Sequence, residues 1–151
     1  MKSQAKKDHP FLNAGQAGVY RLPLGEENRL ETTVGDLRFI VLRVECASER
    51  TIAAVLRKLG ETLKFPEWYG NNFDALVDCL TDPDWQPPDS ETKGHILVLK
   101  GLDTLRQGHP KDFATLLAVL RTAADARREA GAPLWILSDS RASEIPPLPD
   151  A

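Results

Sequence analysis

The chain has 151 residues, a hydrophobic fraction of 42% and a formal net charge of −3, which are typical of one globular domain. Its pI near 5.6 disfavours direct binding to nucleic acid or to an anionic membrane, because both favour basic surfaces. The sequence has neither an apolar run of about 18 residues nor a secretory leader, so we expect a cytoplasmic protein that is not held in a membrane. Cys46 and Cys79 lack metal-type spacing and are expected to be buried thiols.

Strand and helix patterns alternate along most of the chain. Residues 1–36 form an N-terminal extension with a short strand expected near 18–22. Continuous apolar runs then predict buried strands at 37–44, 95–100 and 134–137. Apolar residues at helical spacing predict helices at about 49–63, 72–82 and 110–130, with a short helical turn at 102–106. This order predicts an α/β fold with a small parallel sheet flanked by helices, followed by a disordered Pro-rich tail at 141–151.

The most distinctive stretch, residues 65–82, combines a stiff aromatic loop with a short helix. Pro66 fixes its own φ and keeps the preceding residue extended, so no helix runs through it. Gly70, Asn71 and Asn72 supply a turn and a helix N-cap. One face of the helix that follows is apolar, formed by Phe73, Leu76, Val77 and Leu80. Another face carries only aspartates, which are Asp74, Asp78 and Asp82.

Negative charge is concentrated around this helix. Between Lys64 and Lys93 the sequence has seven acidic residues and no Lys or Arg. Like charges one helical turn apart cost roughly 0.2–0.5 kcal/mol per pair, so helix stability does not explain the pattern. A solvated acidic face is one interpretation. The nearby aromatic residues Trp68, Tyr69 and Trp85 favour a second one, a surface that binds a cationic partner.

Motifs for catalysis are sparse. The histidines His9, His95 and His109 are scattered without zinc-type spacing, and no phosphate-binding glycine loop or nucleophile elbow occurs. The remaining enzymatic alternative is a divalent-metal phosphodiesterase that uses Asp74, Asp78, Asp82 and Asp84. One helix face places such carboxylates about 6 Å apart, and no second element converges on them. We therefore expect no enzymatic activity, no cofactor and no metal.

Residues 65–82 read Phe-Pro-Glu-Trp-Tyr-Gly-Asn-Asn-Phe-Asp-Ala-Leu-Val-Asp-Cys-Leu-Thr-Asp. This stretch resembles the signature of the barstar family of ribonuclease inhibitors. The resemblance implies a barstar-like domain at 37–140 with a three-stranded parallel sheet. It also implies a monomeric, intracellular protein that binds and blocks a barnase-like ribonuclease. Helix 72–82 would fill the cationic active site of the nuclease with carboxylates.

The resemblance also implies which residues contact the nuclease. Asp78 would be the main anchor and Asp74 would lie beside it, while Trp68 stands at a family aromatic position. The full expected set is Trp68, Gly70, Asn72, Asp74, Val77, Asp78 and Trp85. Val77 stands where the small bacterial inhibitor has Trp, and the acidic contact of the last helix falls near Ala126, with Asp125 and Glu129 close by. An acidic binding module, acting as an antitoxin or regulator of another cationic protein, therefore remains the alternative.

Overall fold

The computed structural model describes residues 10–23, 37–85 and 92–149. Its strands are β1 (Val19–Arg21), β2 (Phe39–Glu45), β3 (Gly94–Lys100) and β4 (Leu134–Ser138). Its α-helices are α1 (Ile52–Leu63), α2 (Phe73–Thr81), α3 (Asp103–Gly108) and α4 (Pro110–Glu129). Short 3₁₀ helices occur at Pro10–Leu12, Ala14–Gln16 and Glu67–Tyr69. None of the helices in these ranges combines the length and apolar character needed to cross a bilayer.

The sheet is parallel throughout and has the order β1-β4-β3-β2. This arrangement confirms the predicted α/β class. The predicted count of three strands was wrong, because the N-terminal strand joins the same sheet as a fourth member through the register Val19↔Ile136. The short strand predicted near 18–22 is confirmed as β1. The three residues of β1 alternate only weakly, so their sequence does not reveal a pairing partner as distant as β4. Without β1, the edge of β4 would leave backbone hydrogen-bonding groups unpaired.

Both faces of β3 and β4 are buried, as continuous apolar strands require, whereas the edge strand β2, predicted as a buried strand, leaves Ile40 38% exposed. The α-helices cover one face, where Leu97, Leu99 and Ile136 join the buried residues of α1, α2 and α4. Among the described residues, no α-helix covers the other face. On that side, Phe11 from the first 3₁₀ helix packs edge-on against Trp135 with ring centroids 4.9 Å apart, among neighbours that include Leu148. The N-terminal extension thus contributes to the core.

The C-terminal segment is ordered where the sequence predicts a disordered tail. Ala142 and Ile145 are buried, and the backbone N–H of Arg21 donates to the Pro146 carbonyl at 2.7 Å. Pro146 lacks a backbone donor, yet its carbonyl still accepts this hydrogen bond from the neighbouring strand. Ala142 and Ile145 supply the buried contacts. This correction applies to residues 141–149, since 150–151 lie outside the described residues, as do residues 1–9 and 24–36 of the predicted extension.

Helix α1 begins later than its apolar pattern suggested. Thr51 is the N-cap, with its Oγ1 accepting the backbone N–H of Ala54 at 3.2 Å, whereas the helix was predicted to start at about residue 49. The predicted apolar stripe is confirmed, with Val55, Leu56, Leu59 and Leu63 buried. Lys64 ends the helix in the left-handed region at φ 57°, which directs the chain into the aromatic loop. Both predicted buried thiols are confirmed, because Cys46 and Cys79 are fully covered and unpaired.

Candidate functional site

The aromatic loop is anchored to the core by Tyr69. Its hydroxyl donates to the carbonyl of Leu56 at 2.8 Å, and its ring packs edge-on against Phe65 at a centroid distance of 4.9 Å. The ring also lies directly over Gly60, where an added Cβ would come within 2.7 Å of two ring carbons. Gly60 is therefore the place where helix α1 makes room for the loop. The loop is a packed part of the domain.

A tight turn then directs the chain into helix α2. Gly70 and Asn71 both have positive φ, at 64° and 53°, which reverses the chain over two residues. Asn72 follows as the N-cap, and its Oδ1 accepts the backbone N–H of Ala75 at 2.8 Å. The predicted turn and cap are confirmed. A side chain at Gly70 would be strained by its φ and would lie 3.2 Å from the Asn72 amide, so the turn favours glycine.

Helix α2 separates apolar from acidic residues. Its inner face is buried and consists of Ala75, Leu76, Cys79 and Leu80. Asp74 and Asp78 are exposed on the outer face, one turn and so about 6 Å apart along the axis. Val77 is half-buried beside them. Neither aspartate has a cationic group within salt-bridge distance in the ranges that the structure describes. The geometry leaves both carboxylates available to a cationic ligand.

The two tryptophans of the expected contact set lie in different environments. Trp68 projects outward with 55% of its side chain exposed, whereas Trp85 is only 8% exposed. The Trp85 indole N–H donates to the carbonyl of Leu63 at 2.9 Å, and the ring packs against Phe65. The structure therefore corrects Trp85 from a contact residue to a buried support. The reason is the turn at Pro83 and Asp84, which directs the indole back under the loop.

Helix α2 is held at its C-terminal end by Arg127, which the sequence analysis did not single out. Arg127 is 7% exposed, and its Nη1 donates to the Leu80 carbonyl at 3.0 Å. Its Nε donates to the carbonyl of Ala132 at 2.6 Å. The Leu80 carbonyl lies in the last turn of α2, where a cation is favoured, and Ala132 follows the end of α4. The sequence did indicate that Arg127 is buried, because residue 127 continues the apolar stripe of α4 by one turn beyond Ala123 and Ala124.

His95 completes this buried group. Its Nδ1 lies 3.1 Å from Nη2 of Arg127, and its ring stacks on Trp85 at 6.4 Å between centroids. A guanidinium only donates, so Nδ1 accepts and the proton of the neutral ring is on Nε2, which has no hydrogen-bond partner. Burial, with a further contribution from Arg127, lowers the pKa of His95 from 6.5 to about 4. Near neutral pH the histidine is therefore an uncharged core residue.

The other expected residues lie as follows. Gly70 and Asn72 are exposed, as Trp68 is, and the 3₁₀ helix of Trp68 packs against α2, which carries Asp74, Val77 and Asp78. On α4, Ala126 is exposed and Asp125 pairs with Arg128 at 2.9 Å. Within residues 10–23, 37–85 and 92–149, no three His, Cys, Asp or Glu side chains gather as metal ligands would.

Comparison with known proteins assigns the chain to a family. The family model described as Barstar (barnase inhibitor) matches residues 39–139, from the first residue of β2 to the residue after β4. No curated protein matches the chain. The matched range contains the aromatic loop, helix α2 and the buried Arg127–His95 group. It leaves out β1 and the C-terminal segment that pairs with it. Because the match covers most of the chain and agrees with the α/β fold, this protein belongs to the barstar family of barnase inhibitors.

Proposed function

We propose that this protein inhibits a barnase-like ribonuclease by inserting the exposed face of helix α2 into the cationic active site of the nuclease. The observation that carries the proposal is the pair Asp74 and Asp78, exposed on a helix inside the barstar match. Two carboxylates about 6 Å apart resemble the charge of successive phosphates in RNA. A nuclease cleft that binds phosphates is therefore electrostatically complementary to this face.

Rigidity of the face supports the same proposal. The loop is anchored by the Tyr69 hydroxyl, and the two ends of α2 are held by the Asn72 cap and by Arg127. A surface fixed before binding loses little conformational freedom on association, so more of the interaction energy appears as affinity. Trp68, Gly70 and Asn72 precede the aspartates in the chain and are exposed as they are, and in the proposal Trp68 packs on the nuclease surface beside its cleft. The inhibitor itself performs no chemical step.

RNA cleavage by barnase tests the proposal directly. The full chain is mixed with barnase at increasing ratios, and hydrolysis of a fluorescent RNA substrate is followed. We expect stoichiometric inhibition by the native protein, strongly reduced inhibition by Asp78→Ala and unchanged inhibition by the control Glu45→Gln, which removes an exposed charge at the end of β2. Uninhibited cleavage, or equal inhibition by Asp78→Ala and the native protein, would remove the proposal for this nuclease.

A second candidate function is an antitoxin or regulator of a different cationic protein, bound through the same face. Val77 favours this second candidate, because this half-buried valine stands where the family resemblance leads one to expect an aromatic side chain. Affinity capture with the native protein and with Asp78→Ala distinguishes the two. Recovery of a basic protein without nuclease activity, by the native protein but not by the variant, would favour the second candidate.

A further inference from the structure

A groove lies between the aromatic loop and the turn that follows helix α2. Its volume is about 460 Å³, and its walls include Trp68, Asp82, Asp84, Lys64 and the buried side chains of Leu63 and Trp85. Trp68, at 55% exposure, is a wall of this groove, and its 3₁₀ helix packs against helix α2, which carries Asp74 and Asp78. Asp82 is the C-cap of α2, four residues after Asp78. The groove therefore borders the C-terminal end of the helix that forms the proposed inhibitory surface.

The carboxylates of the groove have unused acceptor capacity. Asp82 Oδ1 accepts the backbone N–H of Asp84 at 2.8 Å, which fixes the turn and leaves Oδ2 available. In the described ranges, neither Asp82 nor Asp84 has a cation within salt-bridge distance, although Lys64 lines the same groove. Among the described walls of the groove, two carboxylates against one ammonium give a net negative charge. An indole face and acidic side chains in one concave site suit a planar cation.

The walls of the groove are set before any ligand arrives. Trp85 is fixed by its hydrogen bond to Leu63 and by its contacts with Phe65 and His95. Lys64 is the left-handed C-cap of α1, with its N–H bonded to the carbonyl of Gly60. The backbone N–H of Trp85 also donates to the Asp82 carbonyl at 3.0 Å. Trp68, Lys64 and Asp84 are the walls whose residues are exposed to solvent.

We propose that this groove binds an arginine side chain of the basic protein partner, with the guanidinium stacked on Trp68 and paired with Asp82 and Asp84. The inference rests on the proposed function, because it requires a basic partner on this face, and it extends the contact beyond Asp74 and Asp78. Arginine fits better than lysine, since its planar group stacks on an indole and bonds carboxylates through two N–H groups. The groove then helps to select among nucleases, because only a partner with an arginine at that place gains the contact.

The groove is tested with the full chain and a small probe, arginine amide, against its uncharged analogue citrulline amide. The indole N–H resonances are followed by NMR, and Trp68→Phe identifies the signal of Trp68. Arginine amide should shift that signal saturably. The shift should be at least about threefold weaker with citrulline amide and in the double variant Asp82→Asn/Asp84→Asn. The double variant Glu45→Gln/Glu144→Gln is the matched control, because it removes two exposed charges that do not line the groove.

Equal shifts with both amides, no saturable shift, or an unchanged response in Asp82→Asn/Asp84→Asn would overturn the inference. Binding to barnase separates it from the proposed function. If Asp78→Asn abolishes barnase binding while arginine amide does not bind the groove, the proposed function stands and the groove assignment fails. If the probe binds the groove through Asp82 and Asp84 but barnase is not inhibited, the groove assignment stands and the proposed function fails for barnase.

Discussion

Trp68 and Trp85 flank the same helix and show how one sequence element divides into an outer and an inner layer. Trp68 is 55% exposed and lies in the loop that precedes the helix of Asp74 and Asp78. Trp85 is buried, donates its indole N–H to Leu63 and stacks on His95. The outer residues are therefore available for binding, and the inner ones fix their positions. Substitutions in the two layers should separate affinity from stability.

The largest expected effect is on folding, from Trp85→Ala. Removing a buried indole together with its hydrogen bond should lower the free energy of unfolding by about 4 kcal/mol. The matched outer variant, Trp68→Ala, should change it by less than about 0.5 kcal/mol. Urea denaturation followed by circular dichroism measures both. Similar losses in the two variants would show that the layers are not distinct.

Affinity should respond in the opposite order. Asp78→Asn keeps the shape of the side chain but removes its charge, so binding to barnase should weaken by about 3 kcal/mol, roughly a hundredfold, with unchanged stability. Trp68→Ala should weaken binding about tenfold through lost packing. Isothermal titration calorimetry compares both with Glu45→Gln, for which no change is expected. The native affinity should also fall as salt rises, because exposed charges are screened.

The inner layer should give the protein an acid sensitivity that comes from His95. Its folded-state pKa of about 4 lies below the ordinary 6.5, so the unfolded chain binds the proton more readily between these values. The contribution of neutral His95 to the free energy of unfolding is therefore fully present above about pH 6.5 and is lost as the pH falls toward 4. Between pH 7 and pH 5 the loss should be about 2 kcal/mol. Denaturation of native protein and His95→Gln at both pH values should show the smaller pH dependence in the variant. Equal dependence would exclude His95 as the source.

The smallest expected effect tests the contact between helix α1 and the loop. Gly60→Ala gains about 1 kcal/mol of helix propensity but places a methyl group against the Tyr69 ring. The clash should outweigh the gain and leave a net destabilisation of about 1 kcal/mol. Gly108→Ala is the matched control, because nothing lies within 4 Å of its added Cβ. In thermal unfolding, the midpoint temperature should therefore fall for Gly60→Ala and should rise or stay unchanged for Gly108→Ala.

The same two layers differ in how well they could be predicted from the sequence. Periodicity predicted α2, its Asn72 cap and the outward aspartates, because these depend on local spacing. It did not predict the burial of Trp85, which depends on the turn at Asp82 and Asp84. Arg127 was missed because its partners, Leu80 and His95, come from distant segments. The pairing of β1 with β4 was missed for the same reason.

The most direct test of the account is the location of the nuclease on the inhibitor surface. Amide hydrogen exchange of the full chain, alone and saturated with catalytically inactive barnase, gives that location. We expect new protection over residues 65–85, around the aromatic loop, helix α2 and the turn that follows. Protection should be unchanged where Gly15–Tyr20 lies against Arg121 and Arg128, because none of these residues belongs to the expected contact set. Protection there, with exchange at 65–85 unaltered, would contradict the assignment of the outer layer as the binding face.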